Sequence, residues 1–273
     1  MDAEKKTRQN AGEVILEAKD LTAGYGTNVI LKNLSFGIRQ GEILALLGGS
    51  GCGKSTLMQT LIGLIPPLAG EVSLGGEVFA TPQWQATEEG SPLLHHLGVM
   101  FQGGALFGSQ TLLENVTLPL REFTDYSPAI MERIARLKLG LVGLAPFADY
   151  FPREISGGMQ KRAAIARAMA LDPEILFLDE PSAGLDPVTS ASLDDLILRI
   201  REESGTTVVL VSHELPSINR VADRVLFLDR SIRGLLDEGS PEQLREHSAH
   251  SRVRAFFNRT AESAEKESDP HDA

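Results

Sequence analysis

Residues 43–62 read ILALLGGSGCGKSTLMQTLI, and the types and spacing within that string suit phosphate chemistry. Five apolar residues, 43–47, predict a buried strand. A tight loop of Gly48, Gly49, Ser50, Gly51, Cys52 and Gly53 follows, then Lys54, Ser55 and Thr56 where a helix opens. Gly-x-x-x-x-Gly-Lys-Ser between strand and helix is a P-loop, whose backbone N–H groups converge on an anion at a helix N-terminus. Lys54 is then placed to reach β- and γ-phosphates, and the Ser55 hydroxyl to ligate Mg²⁺. A second candidate lies at Asp179-Glu180, which ends the apolar run ILFL. Asp179 is suited to organise a metal, directly or through water, and Glu180 to polarise an attacking water.

Composition narrows the class. The 273 residues are 42% hydrophobic and 23% charged, which is the balance of a globular protein with a sizeable core. No apolar stretch approaches the roughly 18 residues that would cross a bilayer. The opening MDAEKKTRQNAG is polar and lacks the apolar centre of a signal peptide, which predicts a cytoplasmic protein. A formal net charge of −11 argues against a nucleic-acid partner. A single cysteine, Cys52, excludes an intrachain disulfide and a multi-cysteine metal site.

The elements that must position these groups read as an α/β fold with a parallel sheet core. Residues 1–12 are expected to be a flexible leader. Residues 14–36 carry β-rich runs separated by Gly24-Tyr25-Gly26, predicting an N-terminal antiparallel β layer. Tyr25 is either a stacking platform for a flat base or an ordinary core or surface tyrosine. GEVSLGGEVF predicts a hairpin around Gly75-Gly76. Residues 80–95, with Trp84, Glu88, Glu89 and His95, form a polar connection; His95 and His96 diverge as neighbours and are expected to be solvated. A short strand over 98–101 ends at Gln102.

Residues 105–170 become mostly helical. Ser127-Pro128 predicts a capped helix start, and Ile130, Ile134, Leu137 and Leu141 are expected to form one buried stripe. ISGGMQKR then opens a helix rich in Ala, Arg and Lys. Strand 175–178 ends at the acidic pair. Asp186-Pro187 caps a helix with Leu193, Leu196, Ile197 and Ile200 on its apolar face. Strand 208–211 ends at Ser212-His213, and a further helix leads to strand 225–228. Gln102, Asp179, Glu180, His213 and the P-loop thus all fall at the carboxyl ends of strands, where open α/β sheets bind ligands.

With GGSGCGKST, a glutamine loop at Gln102, ISGGMQKR, ILFLDEP, SAGLD and LVSHE in that order, the chain resembles the nucleotide-binding subunit of an ABC transporter over about residues 14–245. The resemblance implies a RecA-like P-loop NTPase domain over residues 13–250, with a helical signature subdomain at about 105–170. It implies ATP and Mg²⁺ held by residues 48–56, with Ser55, Gln102 and Asp179 about the metal and Glu180, His213 and Gln102 as catalytic groups. Two copies are expected to sandwich two ATP molecules, each against one chain's P-loop and the other's Ser156, Gly157 and Gly158. Met159 departs from the glutamine common in the signature. Phrasing in residues 98–124, 212–229 and 253–259 is similar to the ATPase of Mla-type systems, which move phospholipid between bacterial membranes. That likeness implies a polytopic membrane permease and further lipid-transport subunits as partners, on the cytoplasmic side of the inner membrane. A non-transport ABC protein and a P-loop kinase are the competing classes. The first usually carries a coiled coil or tandem cassettes, and the second lacks the signature and histidine motifs.

Three further expectations concern single segments. Cys52, beside Lys54 and a helix N-terminus, is either a reactive thiolate or a small loop filler. Ala105, Leu106 and Phe107 either receive a permease helix or anchor the helical subdomain. In the segment 251–273, Val253, Phe256 and Phe257 form an apolar knot before an acidic tail expected to be disordered. The knot either packs back on its own subunit or, by the Mla likeness, clasps the partner ATPase.

Overall fold

The computed structural model describes residues 12–83 and 95–259. The leader up to residue 11, most of the polar connection (84–94, including Trp84, Glu88 and Glu89) and the acidic residues 260–273 lie outside the described residues. In chain order the strands are β1 Val14–Tyr25, β2 Asn28–Arg39, β3 Ile43–Gly48, β4 Ala69–Leu74, β5 Glu77–Ala80, β6 Leu97–Met100, β7 Ile175–Asp179, β8 Thr207–Val211, β9 Arg224–Asp229 and β10 Gly234–Gly239. The helices are α1 Lys54–Leu61, α2 Leu112–Phe123, α3 Pro128–Leu141, α4 Gly157–Ala168, α5 Pro187–Ser204, α6 Leu215–Val221, α7 Pro241–His247 and α8 Ser251–Asn258.

Two sheets form. The first, ordered β2-β1-β4-β5, is antiparallel and includes the hairpin across Gly75-Gly76. The second is ordered β10-β9-β3-β8-β7-β6, with β9, β3, β8, β7 and β6 parallel and β10 antiparallel on the edge. Every residue of β3 and β8 is buried, as expected of central strands covered on both faces. One face packs Leu44, Leu46, Phe177 and Val209 against Leu16, Leu21, Leu34 and Ile38 of the antiparallel layer and against Leu57 and Leu61 of α1. The other packs Ile43, Leu176, Leu178 and Val208 against α2–α5. Leu193, Leu196, Ile197 and Ile200 of α5 are buried there as predicted, and the Asp186 carboxylate caps that helix by accepting from the N–H groups of Val188 and Thr189.

The stripe predicted on α3 is displaced by one position. Ile130, Leu137 and Leu141 are exposed, and only Ile134 is partly buried. The face turned to α2 and α4 is Met131, Ile134, Ala135, Lys138 and Leu139, closed by Val142. Small Ala135 lets the helices approach, while Lys138 threads its stem along the seam and delivers its ammonium to Asp172. Ser127 stands at the N-cap, but its side chain makes no capping bond.

Two more expectations change. His95 and His96 diverge but are not simply solvated: His95 tilts against the Phe123 ring at 4.7 Å, and Nδ1 of His96 lies 2.8 Å from Glu174 Oε1. The apolar knot is part of helix α8, with Val253 and Phe257 buried against Leu47, Leu215, Ile218, Phe227 and Leu244 of the same chain. Phe256 is half-buried and meets Phe227 edge-on at 5.1 Å. Within the described residues, the knot therefore packs back on its own subunit.

Candidate nucleotide site

The P-loop leaves the carboxyl end of β3 at Gly48 and enters α1 through Gly53. Gly48 has φ 143°, and a Cβ there would stand 2.2 Å from the Leu228 carbonyl oxygen and 2.7 Å from Cys52 Sγ. Gly53, at φ 105°, would push a Cβ to 2.8 Å from Ile30 Cγ2. No side chain fits either place, so the loop must be built of glycine to fold this tightly onto β9 and β2. Lys54 folds back under the loop, with Nζ donating to the carbonyls of Gly48 (2.9 Å) and Gly49 (3.2 Å). Gly49, Ser50, Gly51 and Ser55 are exposed, while Gly53, Lys54 and Thr56 are half-buried.

Cys52 is buried, at 2% exposure, with its sulfur 3.8 Å from Lys54 Nζ. Burial pushes its thiol above the ordinary cysteine value, and the lysine charge beside it does not offset this. The reactive-thiolate expectation is thus corrected: Cys52 fills space under the loop. Tyr25 keeps its ring half-exposed, and its hydroxyl donates to Gln59 Oε1 of α1 at 2.7 Å. It stands tethered and exposed beside the P-loop helix.

The acidic pair stands across from this loop. Glu180 adopts φ 50°, a left-handed conformation uncommon outside glycine. Its N–H donates to the Val211 carbonyl at the end of β8 (2.8 Å), which stitches the two strand ends together. Oε1 of Glu180 lies 2.8 Å from His213 Nδ1, while Oε2 is buried without a protein partner. Burial and the neighbouring Glu180 charge push the Asp179 carboxyl above its usual range, with Lys161 and Lys54 pulling the other way. Lys54, Asp179, Glu180 and His213 are therefore brought to one end of the sheet.

Gln102 is exposed just beyond β6, the strand beside β7. The loop after it is held by Arg167 of α4, whose guanidinium donates to the carbonyls of Gly104 (2.9 Å) and Ala105 (2.8 Å). In the segment 105–107, Ala105 and Phe107 are exposed, whereas Leu106 packs on the helical core. Asn115 of α2, fully buried, braces this segment by accepting from the Phe107 N–H and donating to the Phe107, Gln110 and Thr111 carbonyls. Neither Arg167 nor Asn115 was singled out by the sequence reading. A basic side chain within an alanine-rich helix was the available signal for the first.

Ser156 caps α4 by accepting from the Met159 N–H at 3.3 Å, and Ser156 and Gly157 are exposed. Gly158 is buried, and a Cβ there would meet Thr189 Cγ2 at 2.6 Å. Met159, the departure from the common signature, packs on the helical core, away from the exposed N-terminus of the helix. Helix α4 packs on α2, α3, α5 and β6, whereas α1 packs on β1, β3 and β8, so signature and P-loop belong to different parts of the chain.

The family model for ABC transporters matches residues 31–183. Among curated relatives, a probable ribonucleotide transport ATP-binding protein mkl from Mycobacterium leprae is 41% identical over 217 residues, 80% of this chain. The chain spans 62% of that relative's length. The intermembrane phospholipid transport system ATP-binding protein MlaF of Escherichia coli is 34% identical over 248 residues, covering 91% of this chain and 90% of the relative. Among solved structures, the dimeric ATP-binding cassette MJ0796 in a post-hydrolysis state with ADP and Pi has a TM-score of 0.72 and 31% identity, covering 83% of this chain and 98% of the other. The matching family model and the 34% identical relative, covered across 90% of its length, show that the chain belongs to the ABC transporter family as an ATP-binding cassette, and the solved cassette shares its fold.

Proposed function

We propose that this chain hydrolyses ATP as one of two identical cassettes and drives a membrane permease that moves phospholipid. The observation that carries the hydrolytic reading is the Glu180 carboxylate. One oxygen is held by His213 and the other is buried and unpartnered, opposite the P-loop lysine. An orphaned carboxylate oxygen in that place suits a water molecule, which Glu180 would orient and deprotonate. In this reading residues 48–56 cradle the phosphates, Lys54 moves from the loop carbonyls to the β- and γ-phosphates, and Tyr25 offers its open face to the adenine.

The residues present fit a magnesium ion. Asp179 carries a charge disfavoured by burial, which a cation relieves, and Ser55 presents a hydroxyl beside the phosphate cradle. Ser55, Asp179 and Gln102 would hold it, and it would neutralise charge developing on the phosphate oxygens. Ser156 and Gly157, exposed at a helix N-terminus, suit the γ-phosphate on a second copy. His213 would exchange part of its contact with Glu180 for that phosphate.

The cargo reading rests on coverage. The mkl relative is more identical, but the MlaF relative is matched across 90% of its length, against 62% for mkl. No helix among the described residues is long and apolar enough to cross a membrane. Association is therefore read as peripheral, through the permease on the cytoplasmic face of a bacterial inner membrane, with further lipid-transport subunits and without nucleic acid. Lys54→Ala should abolish hydrolysis. Glu180→Gln should retain ATP binding, form ATP-dependent dimers and reduce turnover by about 10²-fold or more. Near-normal hydrolysis in Glu180→Gln would refute the role of that carboxylate. Purification with the native permease and mass spectrometry of the bound cargo separates phospholipid from ribonucleotide.

A further inference from the structure

Helix α4 buries a lysine against the backbone of the acidic pair. Lys161 is only 9% exposed, among Gly158, Ala163, Ala164, Ile165 and Ala166 as the other buried positions of the helix. Its Nζ lies 3.4 Å from the Glu180 carbonyl oxygen. That carbonyl also accepts the Ala183 N–H at 3.2 Å, closing the turn after β7, while the Glu180 N–H is taken by Val211. The residue so gripped is the one at φ 50°. A left-handed glutamate persists only where its surroundings over-determine it, and the direction of the carboxylate follows from that backbone.

We propose that Lys161 is a positioning residue for hydrolysis: its ammonium holds the Glu180 peptide in the left-handed turn that aims the carboxylate at His213 and the reacting water. The proposal rests on the ATPase reading above. It adds that α4, which presents Ser156 at its N-terminus, is bonded directly to the residue that activates water. A lysine inside a helix of small apolar residues needs a partner for its charge, and the strand-end carbonyl and carboxylates provide one. Packing alone would be met nearly as well by an unbranched apolar side chain shorter by one atom.

Lys161→Met makes that substitution. Removing one charge-assisted hydrogen bond should lower kcat for ATP about tenfold, with KM within about twofold. In the nucleotide-free protein, hydrogen exchange at the Ala183 amide should quicken, because the turn it closes has lost its second tie. Both changes together, with KM held, support the proposal; any other combination in a folded Met variant overturns it. Should that variant not fold, Lys161→Arg, which keeps charge and donors, must turn over at near the wild-type rate, and a tenfold slower Arg variant overturns the proposal. Wild-type protein and Glu180→Gln are run alongside. A wild type that does not hydrolyse ATP, or a Glu180→Gln that does, overturns the ATPase reading itself, whereas the exchange result depends on no turnover.

Discussion

Cys52 and Lys54 sit two residues apart and show how burial and charge compete at one helix N-terminus. The lysine charge and the nearby N–H groups favour a thiolate, yet removal of the sulfur from water wins, and the thiol is raised. Native protein should therefore react slowly with a thiol reagent near neutral pH, at a rate that MgATP changes little. Denaturation should release a fast-reacting thiol. Rapid modification of the native protein, blocked by MgATP, would mean that the loop opens far more than its packing under Gly48 implies. The residue types of the phosphate loop, the acidic pair and His213 were legible because each has a distinct chemistry at a strand end. Side-chain burial was not: nothing in GGSGCGKST says that Cys52 points inward while Ser50 points out. The Glu180–His213 contact joins ends of two strands separated by an entire helix, so the family resemblance put the two in one site but spacing alone did not give their direct contact.

At the scale of elements, strands and helices were read well where a period and its punctuation agreed. Asp186-Pro187 opened α5 as read, and Gly205, not singled out from the sequence, closes it in a left-handed conformation. On α3 the apolar period existed but named the wrong face, because a helix whose buried strip includes Ala135 and the stem of Lys138 hides part of its core behind a small and a charged residue. Strand β10 was not anticipated, since GLLDEG carries little β-propensity and is held by pairing to β9. Asn115 belongs to the same class of unread device. Four hydrogen bonds from one buried amide fix the chain between the glutamine loop and α2. Asn115→Ala would strand the Phe107 N–H and the Gln110 carbonyl, while the Phe107 and Thr111 carbonyls keep the backbone N–H groups of Gln110 and Asn115, and should cost about 1–3 kcal/mol. Urea denaturation measures this, and a change under a few tenths of a kcal/mol would show that the loop finds other partners. Arg167→Lys should loosen the same loop from the other side, because a single ammonium cannot reproduce a fork that spans two successive carbonyls.

Three hydrophobic clusters hold the described residues together, and the third includes the C-terminal helix. It forms on Ala45, Leu47, Val225 and Phe227 of the sheet, over which α6, α7 and α8 close in turn. Polar ties fasten the last helix, among them Arg252 donating to Asp229 Oδ2 at 2.7 Å and Arg254 donating to the Ser248 carbonyl. The end of the P-loop strand, at Leu47, thus has α8 as part of its cover. Burying a large apolar side chain is worth about 1.5–3 kcal/mol, so losing Val253 and Phe257 together should cost about 3–6 kcal/mol, before the newly exposed faces of Phe227 and Leu244 are considered. Truncation after residue 250 should therefore lower the urea midpoint of the isolated chain substantially. It should also weaken ATP turnover through Leu47, whereas truncation after residue 259 removes none of the described core and should leave both unchanged. A chain ending at 250 that keeps its full stability but no longer assembles with its partners would reverse this assignment and make α8 an assembly element.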